Sequence, residues 1–178
     1  MKRKIITYLS PVILIVIAIF VIFGGHMKTR SDLNRFATMI KNEQFEDMKL
    51  TIYYMDIFMS TRIPVSIELM VGGWYQEKII VVGDDLRVIA DILERIDGGI
   101  LTPRISNSEL NTRIYYIFET TDGRKIFDMA MWVHDNGNMM INGHEFVGDD
   151  VFIEVILPFL SENSRNRLQG ALDGIFPY

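Results

Sequence analysis

Imidazole and carboxylate groups come closest to a chemical constellation at His134-Asp135 and His144-Glu145, followed by Asp149 and Asp150. A bound metal needs several such ligands converging on one point. The turns read below set the two histidines two strands apart and offset by two residues, which separates their backbones by roughly 12 Å. That is long for one ion, and the residues are read as polar positions on a sheet. Asp84 and Asp85, after Gly83, stand where a strand gives way to a helix, and acids in a first helical turn serve capping and the helix dipole. Glu119 and Asp128 could act as an acid–base pair only inside a shared pocket. No G-x-S-x-G, S-x-x-K, P-loop, G-x-G-x-x-G or H-E-x-x-H pattern occurs. The residues therefore ask for no metal and no cofactor.

Composition narrows the classes further. The chain has 178 residues and no cysteine, which excludes disulfides, C-x-x-C redox chemistry and thiolate zinc sites. From Thr29 onward, 14 basic residues face 23 acidic ones, a formal charge of −9. A general basic field for nucleic acid or an anionic membrane surface is thereby disfavoured, although a local patch escapes that rule.

Lys2, Arg3 and Lys4 precede a run from Ile5 to Phe23 that contains no charge and is followed by Gly24 and Gly25. As a helix it would reach roughly 28 Å, enough to cross the hydrocarbon core of a bilayer. A secretory signal peptide is the competing reading, but the apolar core is long for one and no A-x-A-like site follows. The sequence predicts residues 1–28 as a basic segment with a single-pass transmembrane anchor, and residues 29–178 as one extracytoplasmic domain at the cell membrane. The tight cluster Lys2 to Lys4, against Lys28, Arg30 and Arg35 diluted by Asp32, favours the amino terminus inside.

Within the domain, Ser31 is expected to cap a helix through Asn42, with Leu33, Phe36, Ala37 and Ile40 at helical spacing. Lys49–Phe58, Val65–Val71 and Lys78–Val82 read as strands, the last apolar on both parities as if covered on two faces. Asp84 is expected to open an amphipathic helix carrying Leu86, Ile89, Leu93 and Ile96, and 98–110 reads as a loop. Asp122-Gly123, Asn136-Gly137 and Asn142-Gly143 are hairpin turns that predict a four-stranded meander over 113–147. Their register sets Phe118 opposite Phe127, Tyr116 opposite Met129, Ile114 opposite Met131 and Val133 opposite Met140. The core face then holds Ile114, Tyr116, Phe118, Phe127, Met129, Met131, Met140 and Val147. Tyr115, Trp132, His134, Met139, Ile141, His144 and Phe146 share the second face. Asp149 or Asp150 should cap a further helix, and 165–172 a terminal helical turn. The fold class expected is α+β: a transmembrane helix, then one domain of mainly antiparallel sheet with a C-terminal four-stranded meander and about three packing helices.

The segments NEQFEDMKLTIYYMD, IYYIFETTDGRKIFDMAMW and NMMINGHEF, about a quarter of the chain, give it an organisation that resembles uncharacterised single-pass membrane proteins of Gram-positive bacteria with one small external α+β domain. The resemblance implies a bacterial envelope setting and supplies no site residues. Two functions remain open. One is a membrane-anchored, non-enzymatic envelope module that binds a protein or cell-wall partner through Tyr115, Trp132 and His134. The other is a small-ligand-binding or hydrolytic domain whose polar residues converge from separate strands. A flat aromatic surface would favour the first, and a pocket of convergent titratable groups the second. Replacing Trp132 with Ala reads its role directly in urea unfolding. A partner surface predicts lost binding with stability changed by less than about 1 kcal/mol, whereas a covered core position predicts a loss of about 3–5 kcal/mol.

Overall fold

The computed structural model describes residues 23–104, 111–131 and 138–173. Helix α1 (residues 23–41) is followed by β1 (Met48–Tyr54), α2 (Ile67–Val71), β2 (Glu77–Val82), α3 (Ala90–Leu93) and β3 (Thr102–Pro103). Then come β4 (Ile114–Thr120), β5 (Lys125–Met131), β6 (Asn138–Ile141), β7 (His144–Val147), α4 (Val151–Glu154) and α5 (Glu162–Leu172). The seven strands form one antiparallel sheet in the order β2-β1-β4-β5-β6-β7-β3. The α+β class and the meander β4 to β7 agree with expectation.

The predicted transmembrane helix requires correction. Among the described residues no helix is long and apolar enough to cross a membrane, and residues 1–22 of the predicted span 5–23 lie outside them. The helix that is described is amphipathic. It buries His26, Thr29, Leu33, Phe36, Ala37 and Ile40 and exposes Lys28, Ser31 and Arg35. Helical spacing thus runs upstream of Ser31, which lies inside α1 rather than at its start. The inward positions of the first turns are a histidine and a threonine, so an apolar-periodicity search misses them.

Leu33, Phe36 and Ile40 seat α1 on the core face of the sheet. The Phe36 ring lies 4.8 Å from Phe118 and 5.0 Å from Phe127, while those two stack across the strand pair at 5.1 Å. Behind the helix, a Cβ at Gly98 would collide with the backbone of Arg30, so glycine permits the close approach. Gly98 N–H also donates to Asn34 Oδ1 at 2.8 Å.

Other elements differ from expectation for local reasons. Val65–Val71 is not a strand: Ser66 Oγ accepts from Leu69 N–H, which starts α2, and Gly72 ends it. β2 is an edge strand and not covered on both faces, with Ile80 and Val82 58% and 47% exposed. The predicted helix after Asp84 is a 3₁₀ segment, Gly83–Ile89, followed by the single turn α3, and the Asp84 carboxylate accepts from Arg87 Nε at 2.8 Å. The presumed loop after Gly98 contributes β3, which pairs with β7. The last helix, α5, is longer than expected, and Glu77 accepts from Ser161 N–H at its start.

The meander is right in topology and half right in register. β4 and β5 pair as predicted, Phe118 with Phe127, Tyr116 with Met129 and Ile114 with Met131. Met131, however, faces Met139, where the predicted register sets Asn142, a slip of three residues. The predicted turn at Asn136-Gly137 lies outside the described residues. An odd slip turns over every following side chain. Met139, Ile141 and Phe146 therefore join the core, while Met140 packs with the second-face cluster and Val147 is exposed.

Phe36→Ala should cost about 3–5 kcal/mol, because it removes the ring on which α1 rests and leaves a cavity against two others. Urea unfolding should show a lower midpoint at unchanged slope.

Candidate functional site

The second sheet face, where the sequence sets its candidate residues, is partly closed by α2. Tyr115 is 5% exposed and clusters with Tyr53, Met55, Val65, Met70 and Ala130. Its hydroxyl donates to Asp128 Oδ2 at 3.0 Å. Burial, with Asp128 beside it, raises that hydroxyl far above the ordinary tyrosine range, so it stays a proton donor. Trp132 and His134 lie outside the described residues. Glu119 and Asp128 form separate ion pairs, with Lys49 at 2.8 Å and Lys125 at 3.1 Å. Among the described residues no group of three or more histidines and acids could hold a metal.

Titratable groups converge elsewhere, in a cleft of about 320 Å³ between α1 and one end of the sheet. Lys28, Asp32 and Arg35 come from α1 at i, i+4 and i+7, so one flank of the helix presents all three. The sheet contributes Lys125, Ile126, Asn142 and His144. Each owes its position to an irregularity of the meander.

Lys125 and Ile126 follow the turn at Gly123, whose φ is +85° and whose N–H donates to Thr120 O at 2.8 Å. Thr120 N–H donates to Arg124 O at 2.9 Å, so three residues close this turn instead of two. Glu119 then faces Lys125 while Phe118 faces Phe127, and Ile126 is the extra residue of a bulge. The bulge brings Ile126 into the core cluster and restores the register beyond it.

Asn142 and Gly143 form the predicted two-residue turn, with φ values of +50° and +77°. The Asn142 amide is fixed from two sides: its N–H donates to Asp128 O at 3.1 Å, and its Oδ1 accepts from Asp128 N–H at 3.2 Å. Its Nδ2 is then directed at Asp32 Oδ2, 3.5 Å away. His144 opens β7 opposite Ile141 and so faces α1, where a Cβ at Gly25 would collide with its ring. The ring centroid of His26 lies 5.3 Å from His144 and 5.0 Å from Phe146, and His26 Nε2 is 3.1 Å from Glu145 O. Burial, then the charges of His26 and Lys28, lowers the basicity of His144. At neutral pH it is an uncharged imidazole that can donate at one nitrogen and accept at the other.

Three cationic side chains thus face this cleft and one acid does, in a chain of net charge −5. Among the described residues Lys28 and Arg35 enter no ion pair, while Lys125 is shared with Asp128. The helical spacing of Lys28, Asp32 and Arg35 is the signal by which the sequence could have revealed this flank. Thr29, the one hydroxyl residue of the lining, is 1% exposed, so no accessible nucleophile stands beside the imidazole.

No protein-family model matches this chain, and no match is found among curated proteins or solved structures.

His144 supplies a direct check on this electrostatic picture. Its Cε1–H resonance should titrate below the usual histidine midpoint near 6.5, and Lys28→Met should move the midpoint upward. Because the folded value is depressed, the neutral ring contributes stability that is present above the unfolded midpoint. That stability is lost as the pH falls through the folded one. A midpoint above 6.5 would contradict the arrangement.

Proposed function

We propose that this domain binds a small anionic ligand in the cleft beneath α1, as a binding module and not a catalyst. The convergence of Lys28, Arg35 and Lys125 on one cavity carries the reading. Guanidinium and ammonium groups grip phosphate or carboxylate oxygens through charge-assisted hydrogen bonds, about twice as strong as neutral ones. This develops the small-ligand side of the two functions open from the sequence. The partner-docking side rested on Tyr115, Trp132 and His134, of which Tyr115 is covered by α2.

The scaffold supports the reading. Lys28 and Arg35 project from a helix anchored by aromatic packing, and Asn142 is held at both its backbone N–H and its side-chain oxygen. A site mounted on fixed elements loses little entropy on binding.

Calorimetric titration with inorganic phosphate at low ionic strength tests the proposal. Saturable one-to-one binding is expected, weakened about 5- to 20-fold by Arg35→Gln and by Lys28→Gln, and weakened again by salt as screening sets in. Arg165→Gln, on α5, should leave the affinity unchanged. Absence of saturable binding, or equal loss in the α5 variant, would refute it.

A further inference from the structure

Resting on that reading, we infer that the ligand is a free phosphomonoester that also carries a hydroxyl group, a small polyol phosphate. Charge balance gives the first half of the argument. Lys28, Arg35 and Lys125 against Asp32 leave two positive charges in the lining. A phosphomonoester carries about −1.5 to −2 at neutral pH, which matches that surplus, whereas a single carboxylate leaves one cation uncompensated. The arrangement of the α1 residues gives the second half. Asp32 lies between Lys28 and Arg35, within a span of about 10 Å along the helix, so a bare phosphate gripped by both cations meets a carboxylate between them. Only a ligand that brings a hydrogen-bond donor to Asp32 turns that repulsion into a contact.

The Asp32 carboxylate retains acceptor capacity, since its contact with Asn142 Nδ2 is long at 3.5 Å. A donor for it could be an ammonium or a hydroxyl. The three cations of the lining oppose an ammonium and leave a neutral hydroxyl unaffected. Asn142 and the neutral His144 ring, both in the lining, add positions that exchange hydrogen bonds with further hydroxyls. A cleft of about 320 Å³ suits a small ligand of this kind, at the low end of the usual range for small-molecule sites.

The test is calorimetric titration of the full-length chain and of Asp32→Asn with inorganic phosphate, glycerol 3-phosphate and phosphoethanolamine. Flotation with phosphatidylcholine vesicles, with or without phosphatidic acid, distinguishes a lipid headgroup from a free ligand. In the unsubstituted chain, glycerol 3-phosphate should bind about tenfold more tightly than inorganic phosphate, and phosphoethanolamine more weakly than glycerol 3-phosphate. Asp32→Asn should strengthen inorganic phosphate binding severalfold and abolish the preference for the hydroxylated ligand. These opposite responses are not produced by a mere loss of structure, which the thermal midpoint would reveal. Equal affinity for the first two ligands, a preference that survives Asp32→Asn, or tightest binding of phosphoethanolamine would overturn the inference and leave the anion site standing. Capture by phosphatidic acid vesicles without binding of glycerol 3-phosphate would assign the chemistry to a lipid headgroup and overturn the claim of a free ligand. If inorganic phosphate itself does not bind, the underlying reading fails with it.

Discussion

The seat of Phe36 on the stacked pair Phe118 and Phe127 sets the height of α1 above the sheet, and the cleft inherits its depth from that contact. Three aromatic rings in mutual contact bury a large apolar area and resist sliding, because a shift by one residue along the helix would replace Phe36 with Arg35 or Ala37. The helix is held elsewhere as well, by Gly98 against the Arg30 backbone and by the contacts of His26 with Phe146. An amphipathic helix fixed on its apolar stripe must present its polar flanks at set positions. Lys28, Asp32 and Arg35 lie on the flank that overlooks the end of β5 and the β6-β7 turn.

How much of this was legible depends on which signals are local. The turns at Gly123 and Asn142-Gly143 announce themselves because positive φ restricts residue choice to a few types. Pairing of β4 with β5 follows from the first, even though a three-residue turn and a compensating bulge replace the simple turn expected. The link between β5 and β6 is a different case. Asn136-Gly137 has the composition of a tight turn, yet the strands pair with Met131 facing Met139. What decides is the burial of Met139, Ile141 and Phe146 beneath the helices, a tertiary preference that a dipeptide does not encode. The same applies to Val65–Val71, whose alternation reads as strand while one serine cap and a terminal glycine make it α2.

The site was hidden by the same slip. In the predicted register His144 belongs to the face of Tyr115, away from the first helix; the observed register turns it over onto α1, beside His26 and Asn142. Tyr115 and Asp128, singled out as potential chemistry, instead bond to each other beneath α2. Lys28 and Arg35 were visible as charges but were weighed for membrane orientation, because a helix beginning at Ser31 leaves Lys28 outside it. Once α1 extends upstream, Lys28, Asp32 and Arg35 fall on one flank, and their spacing becomes a statement about geometry.

An acidic domain with a cationic cleft is a selective arrangement as well as an attractive one. At an effective dielectric constant near 20, two unit charges 4 Å apart interact by about 4 kcal/mol, while at physiological salt the interaction between exposed groups fades over about 8 Å. The surplus of acids elsewhere on the surface therefore subtracts little from an anion already in contact with Lys28 and Arg35. It does act on large polyanions, whose remaining charges must lie outside the cleft against that acidic surface. The charge pattern thus admits a compact anion and opposes an extended one. The single acid inside the cleft, Asp32, then discriminates among compact anions by the donor each can bring to it.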